Sequence, residues 1–362
     1  MKNSRTPRLS DLIRRPPSPS LAEPPRRRVV GAGSDEENPP REAPAPAGME
    51  TGPQSFRPGL EIQPTEPETE ARRDYELLEK WLASLFAQAR QGVLECSDLF
   101  DDVRIILGRP KLLDALFAET FKTRAPGDFF ARKSLNVGIY ALRLGRALRY
   151  EGDSLVTVGV AALLHKIGFA RLAEDLVTKP GALNRREIAS VKEHPQLGAK
   201  MIAALGRPFE DAARIVASAN ERIDGSGYPS GLKEGEIRME SLIIGLVDVF
   251  EALIQPRPYR ERTVPFGAVK EILEREKTRF PRELLREFIS SFSVFPPFTY
   301  VRLNSRAVAR VVEAEAGYPL RPRVEIVVDA GGQKPAQPQV LRLRESPLLY
   351  ITGPVSEEEL PA

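Results

Sequence analysis

The chain has 362 residues, 41% of them hydrophobic, with 53 Lys and Arg against 50 Asp and Glu and a formal net charge of +3. That charge is too small over this length to argue for a nucleic-acid partner, and no apolar run approaches the roughly 18 residues needed to cross a bilayer, so no membrane span is expected. The lone Cys96 excludes an internal disulfide, and a basic start without the apolar core of a secretion signal agrees with a reducing cytoplasm.

Residues 1–71 are expected to form a disordered tail. Fourteen of the thirty-three prolines fall in the first 70 positions and Phe56 is the only aromatic residue there, so the segment cannot bury enough apolar surface to offset its ordering entropy. Its Arg14-Arg15 and Arg26 to Arg28 clusters either touch an acidic partner or lipid, or remain a solvated charged stretch.

A helical lead-in is predicted over 72–127. Leu77, Leu78, Trp81, Leu82, Leu85 and Phe86 recur every three to four residues, which marks an amphipathic helix. A second helix, capped by Ser97, carries Leu99, Val103, Ile106 and Leu107 and stops at Gly108-Arg109-Pro110, because proline cannot continue helical hydrogen bonding. "KLLDALFAETF" adds a short third helix.

A helical domain is predicted over 128–295. Asp128 stands at an N-cap position before a long helix in which Lys133 shares a side with Phe130, Val137, Ala141 and Leu144, so Lys133 faces inward. Further helices are expected over 154–167, 185–205, 207–222, 238–254, 265–277 and 281–292, with the loop "DGSGYPSGLKEGE" ahead of 238–254. After Pro296-Pro297 the period changes to alternation in "TYVRLNS", "RVEIVVD" and "QVLRLR", joined by turn formers such as Gly331-Gly332. A small β-rich extension over 296–353 is therefore expected, and the fold class is mostly α with a C-terminal β element and a disordered N-terminal tail.

Polar groups embedded at the ends or inside of apolar helices single out His165, His194, Glu221 and Asp248. In "LIIGLVDVFEAL" an ionised acid interrupts an apolar helix, and an unpaired buried charge costs several kcal/mol, so Asp248 requires a metal ion, a cationic side chain or strong hydrogen bonds. Two histidines and one carboxylate suit a facial triad for a divalent metal, and they equally suit hydrogen-bonded core positions.

The order of "KSLNVGIYALRLGRAL", "AALLHKIG", "TKPGALNRREIASVKEHPQLGAKMI", "ANERIDGSGYPSGLKEGEIRMESLIIGLVDVFEAL" and "RPYRER" resembles the HD-GYP group of the HD-domain metal-dependent phosphohydrolases. The resemblance implies an HD-domain helical bundle that cleaves the bacterial messenger cyclic di-GMP with iron or manganese ions, which activate water and withdraw charge from the phosphodiester. Carried over residue by residue, it places metal-binding positions at Lys133, His165, Lys166, His194, Ala219, Asn220 and Asp248. Only His165, His194 and Asp248 keep ligand chemistry. Lys166 stands where the bridging aspartate belongs, Phe169 where the group usually has a lysine near the scissile phosphate, and Glu221 remains after the two lost histidines.

Like charges about 4 Å apart repel by about 4 kcal/mol at an effective dielectric of 20, so two lysines at a two-metal centre oppose metal binding. Lys166, with Lys133, is expected to stand in for the lost metal and pair with Asp248; alternatively, both lysines extend their stems and lift their ammonium groups to solvent. No cofactor is expected, the alternative being one iron or manganese ion on His165, His194 and Asp248. The resemblance further implies a nucleotide pocket with Tyr228 of the loop, where Arg257, Arg260 and Lys179 offer cationic groups for phosphates. The alternative for "RPYR" is to cap and staple the helix bearing Asp248. The expected function is a degenerate member that senses cyclic di-GMP or docks with a diguanylate cyclase or other signalling protein through this loop. The alternatives are residual phosphodiesterase activity, or a tether whose proline-rich tail recruits the partner.

Overall fold

The structure is a computed structural model that describes residues 66–122, 127–179, 181–255, 265–315, 317–356 and 359–360. The tail up to residue 65, and with it both arginine clusters, lies outside the described residues, as do Arg257 and Arg260. Helix α1 spans Glu66–Arg90, so its first turns take up residues expected to belong to the tail. Its buried face of Tyr75, Leu78, Leu82, Leu85 and Phe86 follows the spacing of an amphipathic helix. Helices α2 (Leu99–Leu107) and α3 (Pro110–Glu119) complete the lead-in, with Asp98 rather than Ser97 at the N-cap of α2.

The core is built on α4 (Phe129–Ala147) and α5 (Gly152–Leu164). Asp128 caps α4 by accepting from the Ala131 N–H at 2.8 Å. The two helices approach closely because glycines face them: a Cβ on Gly138 would lie 2.6 Å from Leu163, and one on Gly159 2.6 Å from Leu142. Gly152–Arg171, α5 with the turn after it, is apolar and long enough by composition to cross a membrane, but 78% of that window is packed inside the bundle. Helix α10 (Met239–Ile254) crosses α4, and a cluster of aromatic rings fills the space between them and α12 (Arg282–Phe292). Phe250 meets Tyr140 and Phe292 edge to face, with ring centres 5.5 and 5.4 Å apart.

Around this core, the helix expected over 185–205 is two, α7 (Arg185–Val191) and α8 (His194–Ala203), preceded by the single turn α6 (Glu174–Val177). Pro195 has no N–H to donate, so it starts a helix instead of continuing one. The segment 207–222 is helical only as α9, Glu210–Ala217, because Ser218 to Asn220 turn toward α10 with the Ser218 hydroxyl 2.9 Å from that of Ser241. Segment 154–167 likewise ends its α-helix at Leu164 and continues as a tighter turn over Ile167–Arg171. Helix α11 (Pro265–Glu271) leads through a wider turn, Ile272–Glu276, toward α12.

The C-terminal strands form one antiparallel sheet in the order β4-β3-β2-β1-β5, from Tyr300–Leu303, Val308–Glu313, Arg323–Val328, Gln339–Arg342 and Ile351–Val355. Strands β2 and β5 were not legible in the sequence. β2 is central and buried at three of its first four positions, so alternation is blurred, while Gly353 and Pro354 make β5 read as a turn. Proline is tolerated there because β5 is an edge strand paired only with β1. Phe295 stacks on Phe266 at 5.1 Å, and the Val294 N–H donates to the Pro319 carbonyl, so the link between bundle and sheet is itself packed.

Candidate functional site

Two elements converge on Asp248 in α10. Lys133 reaches it from α4, while His165 and Lys166 come from the C-terminal end of α5, where the apolar helix stops. The Lys133 ammonium lies 2.7 Å from Asp248 Oδ1 and 2.6 Å from Glu251 Oε2, and the Lys166 ammonium lies 2.9 Å from Asp248 Oδ2. The lysines do not reach for solvent, since both are about 5% exposed. Asp248 is thus bridged by two ammonium groups, one on each oxygen, much as a carboxylate would bridge two metal ions.

Each group's proton affinity follows from burial and its neighbours. Burial penalises the Lys133 ammonium, but Asp248 and Glu251 outweigh it and raise its pKa. Burial lowers the pKa of Lys166, with Asp248 opposing and Lys133 adding to the fall. Asp248 is held well below the carboxylate range, against its burial, by Lys133 and Lys166. Two cations therefore face two carboxylates, the part-buried Asp248 and the buried Glu251. Glu251 sits three residues after Asp248 on the same helical face, a spacing that makes the second acid readable in retrospect. From Glu251 the network continues to Asn136, 3.5 Å away, which accepts at 2.6 Å from the Tyr75 hydroxyl of α1.

The histidines are neutral. Burial, with Lys166 adding to it, lowers His165 to about 4 and His194 to about 3. His165 Nδ1–H donates to the Ala162 carbonyl at 2.7 Å and His194 Nδ1–H to Val191 at 2.9 Å, so each ring carries its lone pair on Nε2. Metal-bound histidines are commonly oriented in this way. His194 Nε2 is buried without a hydrogen-bond partner, and His165 Nε2 lies 3.5 Å from Asp248 Oδ1. These two nitrogens fit a metal, but the carboxylate does not, because ammonium groups hold both of its oxygens. Among the described residues no group of three or more His, Cys, Asp and Glu side chains is placed to hold a metal ion. The centre therefore does not fit the metals of the group it resembles.

Ala219 is buried behind the loop, and Asn220 and Glu221 brace it. Asn220 donates from Nδ2 to the Tyr228 hydroxyl at 3.0 Å, and its carbonyl accepts the Tyr228 N–H at 3.2 Å. Glu221, 1% exposed, accepts from the backbone N–H of Ser230 at 2.7 Å and of Leu232 at 3.1 Å. Its carboxylate holds the loop. Gly225 and Gly231 take positive φ of 77° and 67°, and a Cβ on Gly227 would come within 2.4 Å of the Glu221 and Arg222 backbone. Burial raises Tyr228 to about 12.

The lysine at 179 does not stand free. Its ammonium pairs with both oxygens of Glu187, at 2.7 and 2.8 Å, and Glu187 also closes the capping box of α7. Phe169 sits 4.2 Å from the His194 ring and 4.6 Å from Phe130, so aromatic rings pack at the position where a lysine is expected from the resemblance. Gly168 permits this approach: a Cβ there would overlap the His194 carbonyl oxygen.

Residues 118–284 match the family described as an HD domain, and residues 300–362 match the KOW domain associated with HD domain. A cyclic di-GMP phosphodiesterase of Pseudomonas aeruginosa is 28% identical over 267 residues, covering 72% of this chain and 63% of the relative. The cyclic di-GMP phosphodiesterase PdeB of Borreliella burgdorferi is 27% identical, covering 55% of this chain and 52% of the relative. The cyclic di-GMP phosphodiesterase response regulator RpfG of Xanthomonas campestris is 34% identical, covering 37% and 34%. The chain spans less than two thirds of the length of each of these relatives. It is an HD-domain protein homologous to HD-GYP-type cyclic di-GMP phosphodiesterases, and its described residues assemble no metal-binding cluster.

Proposed function

We propose that this chain is a catalytically silent member of the family, a bacterial signalling protein that binds where its relatives hydrolyse. The observation that carries this reading is the occupation of both Asp248 oxygens by the ammonium groups of Lys133 and Lys166. In a dinuclear centre, metals about 3.5 to 4 Å apart share a bridging carboxylate; here Lys166 stands at that position, and Asp248 is already neutralised. The bracing of the Tyr228 loop by Asn220 and Glu221 supports a retained recognition role. Its ligand is cyclic di-GMP or a diguanylate cyclase or other signalling protein docked on the loop, with Arg257, Arg260 and Lys179 as candidate phosphate contacts. A second reading, residual turnover on one iron or manganese ion, is favoured by the unpartnered Nε2 of His194.

Incubation with cyclic di-GMP and manganese, together with calorimetric titration of the same preparation, tests this reading. The expected result is saturable binding without product and less than one metal ion per chain after purification without chelators. Linear or mononucleotide product that disappears in a His194→Ala variant would replace it with the residual enzyme.

A further inference from the structure

At the far end of α5 from the lysine centre, the turn into that helix and the C-terminal end of α2 border an open surface cleft of about 570 Å3, on which Arg146 and Arg149 are exposed. The volume falls within the range of small-molecule sites. Arg104, Arg146, Arg149, Tyr150, Glu151 and Asp153 line it. Arg104 is already committed to Asp101 at 2.7 Å and Asp153 at 2.9 Å. Arg146 and Arg149 make no ion pair or side-chain hydrogen bond among the described residues. Glu151 provides an opposing charge, leaving one net positive charge from these three side chains. Arg149 also holds a φ of 66°, a region where glycine is the comfortable residue, so its guanidinium is carried at a conformational cost.

We propose that this cleft binds a phosphate-bearing ligand of nucleotide size. Two guanidinium groups without partners offer forked donors to phosphate oxygens, and the half-buried Tyr150, packed against the core on one side, also lines the cleft. The site is separate from the lysine centre: α5 has 13 residues, and at about 1.5 Å each its ends are about 20 Å apart. The ligand would thus sit at one end of the helix whose other end carries His165 and Lys166.

Calorimetric titration of the full chain with guanosine monophosphate, guanosine and inorganic phosphate tests the site. The monophosphate should bind at least about tenfold tighter than either of the others, and its affinity should fall as salt rises. Arg149→Gly should weaken it about tenfold without lowering the melting temperature, since glycine suits that backbone, and Arg146→Ala should act likewise. Glu151→Gln should strengthen it. Arg275→Ala, a surface arginine outside the cleft, should leave it unchanged. Equal binding of guanosine or inorganic phosphate, unaltered affinity in both arginine variants, or an equal loss of binding in Arg275→Ala would each overturn the assignment.

Discussion

A carboxylate largely withdrawn from water needs cations, and Asp248, its side chain 14% exposed, has two. Breaking such a buried network costs about 3 to 5 kcal/mol, because it leaves an uncompensated charge in a medium that solvates it poorly. Lys133→Met should therefore destabilise the protein by about that much, since among the described residues Glu251 then keeps Asn136 as its side-chain partner. Adding Glu251→Leu should recover at least about 2 kcal/mol, a coupling measurable by urea unfolding of the two single variants and the double. Simple additivity would show that the two side chains do not act as a pair. The histidines set a pH dependence. Both are buried neutral, at about 4 and about 3, while the unfolded chain protonates them near 6.5. The unfolded state thus binds more protons below about 6.5, so stability falls with pH from there down to about 4, by up to about 2.7 kcal/mol per pH unit for two protons. The depressed Asp248 adds a further loss as pH falls below the ordinary carboxylate range. Urea titrations at pH 7, 6 and 5 check the sign, and a stability that stayed level across them would show the histidines to be charged or exposed.

The loop after α9 shows how one side chain can determine the shape of an element. Two backbone N–H groups, on Ser230 and Leu232, end on the carboxylate of Glu221, and Gly227 presses against the chain behind it. Glu221→Ala should strand both donors at a cost of about 2 to 3 kcal/mol. It should also speed hydrogen exchange at Ser230 and Leu232, with little change in the amides of α4. Slow exchange at both in the variant would mean the loop is held by its glycine turns instead. The glycines of this loop were legible as turn formers, and the inward Lys133 followed from the face it shares with Val137 and Leu144. Glu221 as a brace was not legible, because acceptance from N–H groups 9 and 11 residues further along the chain has no local signature. The division of 185–205 into α7 and α8 had its signal in Pro195, a residue that suits the start of a helix.

At the scale of the molecule, hydrophobic periodicity is enough to predict a helical bundle, because each amphipathic face must be buried against another. The switch to period two after Pro296-Pro297 likewise announces a sheet. Strand β2 escapes, because a central strand buried on both faces loses the alternation that would reveal it. By itself, the amino-acid order determined the class of fold and the need of Asp248 for a counter-charge, since both depend on residue types and local spacing. Only the tertiary structure decided that the counter-charge comes from two lysines at once, that Glu251 is the second acid, and that an arginine-lined cleft opens at the other end of α5. Those outcomes depend on which side chains of sequence-distant helices meet, and packing geometry sets that.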